Sequence, residues 1–426
     1  MVDVWLPYGK TDICVRIHAR NFLGTIEPVD KSSAPDGRKE IERALKEPLG
    51  SKSLNDIVKT EHKVAIVVDD ATRPAPSHVM LPPLLDELNN SGVKDENMTI
   101  IFGCGTHRTV TQEEAAKLLG VGVVNRVRAI SHDYKAEDHV YVGKTKKHST
   151  KVYLNRVFAN ADVKILTGDI CFHYYAGYGG GRKSVLPAVT GEETIRNNHV
   201  LLLDPKAKAG ILEGNPVHQD MVEAAKLAEV DFILNVVMNS EGDIVKAFAG
   251  DFERAFHEGT KLVDELYRIS VDRKADIVVV SAGGHPADLN LFQAYKGVDN
   301  ALRVVKRNGV VILVAECPEG HGSQVFYDWM VKFKDSNAVR KQIKRNFVLG
   351  GHKAYYLMEA LEKVKIILVS SMPDYYAQNV FRLKTARAVN DAMNQALSIT
   401  GKKAKVLAMP HGNSTLPEIE KSKPES

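Results

Sequence analysis

Three sets of residues in this 426-residue chain have types and spacings suited to chemistry: two histidines, a lysine behind a glycine run, and an arginine behind two aspartates. The densest set is HYYAGYGGGRKSVLP, from His173 to Pro187. Gly179, Gly180 and Gly181 lack the side chains that would keep backbone N–H groups from closing on an anion. Arg182 and Lys183 then supply positive charge. The preceding VKILTGDICF reads as a buried strand and a helix is expected to begin near Thr190, so the segment predicts a phosphate-cradling strand-to-helix loop with His173 beside it. A Walker A loop needs Gly immediately before the Lys, and a dinucleotide fingerprint begun at Gly177 needs Gly at the same place; Arg182 stands there in both alignments. The competing reading is a glycine-rich surface turn with incidental charge.

DDATRPAP, Asp69 to Pro76, follows the apolar run VAIVV. Asp70, Thr72 and Arg73 at a strand end suit a polar ligand, and Pro74 and Pro76 keep the exit from relaxing into a helix. The equal alternative makes Asp70 only a helix cap that pairs with Arg73. GCGTHRTVTQEE follows MTIIF and leaves His107 on an exit loop, with Thr109 or Thr111 as cap of the helix carrying Glu113 and Glu114. An imidazole there can serve as an acid or a base. His199 lies on the helix after the glycine loop, where it is either a satisfied histidine or a single metal ligand; one imidazole holds a metal poorly, so a cofactor would have to complete the set. Farther along, SAGGHPADLNLFQAYKG joins a strand to a helix expected to start at Pro286 or Asp288, and Gln293 and Lys296 share one face of it. An amide and an ammonium side by side suit a carboxylate.

These sites need strands to carry them. HKVAIVVDD, NMTIIFGCG, DVKILTGDI, DFILNVVMN, DIVVVSAGG, GVVILVAEC, KVKIILVSS and KAKVLAMPH are short apolar runs ending in Gly, Asp, Asn, Ser or a similar turn-former, separated by helical stretches. Runs of that kind are strands buried on both faces of mainly parallel sheets with flanking helices, an α/β class whose ligands gather at the strands' carboxyl ends. Two domains are expected, over 1–268 and 272–410, with 411–426 as a loose tail. The formal charge of +4, with both signs interspersed, argues against a nucleic-acid surface. Four scattered cysteines suggest reduced thiols, and neither a leader nor an apolar run of about 20 residues is visible, so a cytoplasmic, membrane-free protein is expected.

Taken in order and at their separations, DDATRPAP, GCGTHR, the H…GGGRK…P loop, NNH and QAYK resemble the lactate racemase family, whose members are nickel-pincer-nucleotide-dependent 2-hydroxyacid racemases and epimerases. The resemblance implies a cofactor in which nickel is held through sulfur, carbon and sulfur by pyridinium-3-thioamide-5-thiocarboxylic acid mononucleotide, linked covalently at Lys183. It implies His199 as the protein ligand to nickel and Gly179 to Arg182 on the phosphate, with Asp70 and Thr72 near the cofactor. His107 and His173 would be the acid/base pair on opposite faces of the substrate, Arg73, Gln293 and Lys296 would bind its carboxylate and carbonyl oxygens, and the site would lie in the cleft between the domains. Inversion at C2 would run by hydride transfer. The implied partners are a small 2-hydroxyacid and the enzymes that make the cofactor, and a homodimer is an allowed assembly. The tyrosine-rich loop and Ala188 depart from the lactate-enzyme pattern, which leaves other 2-hydroxyacids open as substrates. The readings that compete with this one are a zinc or magnesium hydrolase using the same His and Asp residues, and a non-catalytic nucleotide-binding protein.

Overall fold

The computed structural model describes residues 1–73 and 75–420; Pro74 and the end of the expected tail lie outside the described residues. The chain divides into one unit of residues 30–265 and another made of residues 1–29 with those from 266 onward. All eight apolar runs read from the sequence are strands.

In the 30–265 unit, six strands lie in the order Ile244–Gly250, Phe232–Met238, Val163–Asp169, Val64–Val68, Met98–Phe102, Arg128–Ser131. Every neighbouring pair is parallel except the first, which is antiparallel. Val64–Val68 is buried at every position, as a central strand covered on both faces must be. Ile66, Val68, Ile100 and Ile165 meet Leu81, Leu84, Leu85 and Leu88 of the helix Ser77–Asn90 in one core.

The main sheet of the other unit also has six strands, in the order Lys384–Ala386, Lys365–Val369, Val305–Val314, Ala275–Ser281, Val406–Met409, Phe22–Thr25, all parallel to their neighbours. The expected domain limits are corrected here. Residues 1–29 belong to this unit, because Phe22–Thr25 is its edge strand and the hairpin Val2–Tyr8/Thr11–Ile17 buries Val4, Leu6, Val15 and Ile17 in its core. The hairpin turn also covers the carboxyl end of Ala275–Ser281: His285 N–H donates to Gly9 O at 2.7 Å, and Gly9 N–H donates to Asp288 Oδ2 at 2.7 Å. Nor is residue 411 the start of a loose tail, since Leu416–Ile419 pairs in parallel with Arg268–Val271. With Asp288 holding the hairpin, the next helix begins at Leu291 and is capped by Asn290, not by Pro286 or Asp288. Among the described residues no helix is long and apolar enough to cross a membrane.

Candidate active site

In the 30–265 unit the strand order reverses between Val64–Val68 and Val163–Asp169. From the first of these the chain adds Met98–Phe102 and Arg128–Ser131 on one side, and then returns to build the other side. Diverging connections open a crevice at such a switch point, outside the carboxyl ends of the strands. The two loops leaving those strands carry Asp69 to Arg73 and Cys171 to Lys183, and the adjacent strand delivers His107.

Asp70, 3% exposed, organises the first loop. Its Oδ1 accepts from Thr72 N–H at 3.0 Å and from Thr72 Oγ1 at 2.6 Å, and its Oδ2 lies 2.6 Å from His107 Nδ1. Burial works against the charge, but the bonds from His107 and Thr72 outweigh it and hold the carboxyl below the usual range. Asp70 is therefore neither a helix cap nor a partner for Arg73 alone; it orients His107, whose side chain is 40% exposed. The helix after His107 starts where the sequence indicates, with a capping box between Thr111 and Glu114.

The glycine loop differs from the expected simple cradle. Between strand and helix the chain makes a small hairpin, Phe172–His173 with Gly177–Tyr178, then a 3-10 turn at Gly181–Ser184, and the helix starts at Glu192. Gly179 N–H donates to Cys171 O at 2.7 Å and Gly181 N–H to Asn235 Oδ1 at 2.9 Å. Arg182 is 1% exposed; its guanidinium stacks on Phe256 at 4.4 Å and donates to His218 Nδ1, Gly180 O and Ala176 O. In this arrangement the donors of Gly179, Gly181 and Arg182 brace the loop. Packing explains the glycines. Gly180, at φ 76 and ψ −179, would place a Cβ 2.6 Å from Asp169 O. Gly180→Ala is expected to destabilise the unit by about 1–3 kcal/mol, the cost of a glycine-only conformation, plus that clash. Urea denaturation measures it, and an unchanged midpoint would contradict this account of the loop.

The brace delivers Lys183 into the crevice at 9% exposure, with Nζ 3.4 Å from His173 Nε2. Burial, then the charges of Arg73 and Arg182, lower its ammonium to about 7. The loop is also tied to the His107 loop, since Gly105 N–H donates to Ala188 O at 3.0 Å.

His173 accepts at Nδ1 from Ala176 N–H at 3.2 Å, and its ring stacks on Tyr174 and meets the edge of Tyr175 at 4.4 Å. Tyr175 in turn packs edge-on to His199 at 5.4 Å, so one tyrosine spans both imidazoles. His199 ends the helix Glu192–His199 and is 2% exposed; burial, then the Lys183 charge, lower it to about 3. It is a neutral imidazole at any ordinary pH.

Sequence reasoning missed Asp169 and Asn235, and counted Asp69 only as one of two carboxylates at a strand end. Asp69 directly follows one strand at the switch point and Asp169 ends the other; burial, then the charge of Asp169, raise the Asp69 carboxyl above the usual range. Burial opposes the Arg73 charge, but Asp69 and Asp70 outweigh it and raise that guanidinium. Asn235 is fully buried and donates to Gly168 O at 3.0 Å while accepting from Gly181, which ties the sheet to the loop before Lys183. The polar residue inside FILNVVM was the signal available for it. Thus Asp70, Thr72, Arg73, His107, His173, Lys183 and His199 belong to one unit, while Gln293 and Lys296 lie on the helix Leu291–Ala301 of the other.

His107, His173, Lys183 and His199 are thus carried by loops and a helix of one unit, at or beyond the carboxyl ends of its central strands. The family follows from comparison. The lactate racemase N-terminal domain model matches residues 8–210 and the C-terminal domain model residues 271–416. The chain is 34% identical over 425 residues to the lactate racemase of Thermoanaerobacterium thermosaccharolyticum (98% of this chain, 99% of the relative). It is 32% identical over 422 residues to that of Lactiplantibacillus plantarum (97% and 99%). The solved structure of the T. thermosaccharolyticum lactate racemase apoprotein superposes with a TM-score of 0.92 at 32% identity, over 99% of this chain and 100% of that one. A Thermotoga maritima protein, 20% identical with a TM-score of 0.68 (90% and 98%), shares the fold. The chain belongs to the lactate racemase family, and its class is that of an isomerase, a racemase of hydroxy acids.

Proposed function

We propose that the chain inverts C2 of lactate or a closely related 2-hydroxyacid, with a nickel-pincer nucleotide attached at Lys183 as its cofactor. The observation that carries this reading is the braced, buried Lys183 amine, lowered to about 7 and set against His173. Lys183 fits a covalent attachment point, because at neutral pH a large fraction of it is the nucleophilic free amine. His199 fits a nickel ligand, because it is buried and neutral. Among the described residues no three His, Cys, Asp or Glu side chains converge on a common point, so a metal here takes most of its ligands from elsewhere. That favours a cofactor-borne metal over the hydrolase reading. When bound, the group supplies a hydride acceptor.

The chain's own residues do the rest. His107, with its Nδ1 proton directed at Asp70, presents Nε2 to the substrate hydroxyl and takes its proton. His173 serves the opposite face. Arg73 pairs with the substrate carboxylate.

Protein made together with cofactor-synthesis enzymes should show an adduct on the Lys183 peptide, carry nickel, and racemise members of a panel of chiral 2-hydroxyacids. His199→Ala should lower nickel per chain while leaving the adduct mass in place. Unchanged nickel content and activity would remove His199 from the site.

A further inference from the structure

The two imidazoles are held through the same ring nitrogen by partners of opposite kind. At His107 the partner of Nδ1 is Asp70 Oδ2, 2.6 Å away, and an ionised carboxylate only accepts, so Nδ1 carries the proton and Nε2 the lone pair. At His173 the partner of Nδ1 is the Ala176 amide, 3.2 Å away, which only donates. The neutral ring there must carry its proton on Nε2. Lys183 Nζ lies 3.4 Å from that Nε2.

We infer that Asp70 and the Ala176 amide are positioning groups that lock the resting pair in opposite tautomers, with His107 ready as a base and His173 as a hydrogen-bond donor to the substrate oxygen. The inference rests on the acid/base reading proposed above and adds which histidine acts first. For His173 to take a proton at either nitrogen the ring must give up the Ala176 bond, because an imidazolium has no acceptor left. Enantiomers have equal free energy, so kcat/KM is the same in both directions; the asymmetry therefore falls on kcat and KM separately.

Asp70→Asn tests the lock. Asp70 Oδ1 already receives two donors, Thr72 N–H and Thr72 Oγ1–H. The Asn oxygen must stay on Thr72, which turns its NH2 towards His107 Nδ1. The His107 proton then has to move to Nε2, and the base is lost while every heavy atom keeps its place.

The experiment is long-range 1H–15N NMR on histidine-labelled protein at about pH 8.5, where ordinary imidazoles are neutral. His107→Gln and His173→Gln spectra assign the two signals. The expected result is Nδ1–H for His107, Nε2–H for His173, and a switch of His107 to Nε2–H in Asp70→Asn with a fall in kcat on the order of 100-fold or more. Both histidines in one tautomer in the unsubstituted protein would overturn the inference without any variant having to fold. So would an Asp70→Asn protein that keeps the Nδ1–H form. The tautomer readout needs neither cofactor nor turnover, so its failure is separate from failure of the racemase reading.

Discussion

Lys183→Ala is expected to give protein of unmodified chain mass, no retained nickel and no measurable racemisation, even when made together with the cofactor-synthesis enzymes. An ordinary lysine is neutral in about one molecule per thousand at pH 7. Lys183 is held near half-neutral by burial and by Arg73 and Arg182, which makes it a nucleophile without a separate base. Lys183→Arg keeps the positive charge and much of the volume but not the nucleophile, so it should fail in the same way. Intact-mass spectrometry with metal analysis checks both variants. An adduct on another residue, with activity retained, would contradict the attachment site.

Removing either loop histidine should lower the rate by about 10²–10⁴-fold, the usual contribution of a positioned acid or base. His107→Ala takes from the buried Asp70 carboxylate its main partner, so it should also lower the melting temperature, and His107→Gln, which keeps a donor there, separates that loss from proton transfer. His173 packs on Tyr174 and Tyr175, so His173→Ala removes ring contacts as well, and the comparison with His173→Phe separates packing from proton transfer. The double variant should lose little more than the worse single one, because groups acting as a unit are not additive. Initial rates from both enantiomers test this; near-normal rates in both single variants would contradict the paired role.

The sequence carried the strands well because burial on both faces writes itself as an unbroken apolar run, as in VAIVV and DIVVV. The place of DDATRPAP and of the H…GGGRK loop at strand carboxyl ends followed from those runs, whereas the strand order that makes a switch point there did not. What it could not carry was partnership at a distance. The hairpin of residues 2–17 looked like the start of the first domain because nothing local says that Gly9 will meet Asp288. Charge beside glycine says nothing of the bonds that His218, Phe256 and two carbonyls make to the Arg182 guanidinium. Asp70 looked like a cap or a ligand group, and its bond to His107 emerges only when two loops from neighbouring strands are brought together.

A 2-hydroxyacid carrying deuterium at C2, racemised by loaded protein in ordinary water, tests the central claim most directly. Hydride transfer keeps the C2 hydrogen with its two electrons inside the crevice, whereas proton abstraction at C2 would pass it to an exchangeable imidazole. The account predicts product of inverted configuration that retains its deuterium, along with a trappable trace of the 2-keto acid. Loss of deuterium to solvent at the rate of racemisation would contradict it.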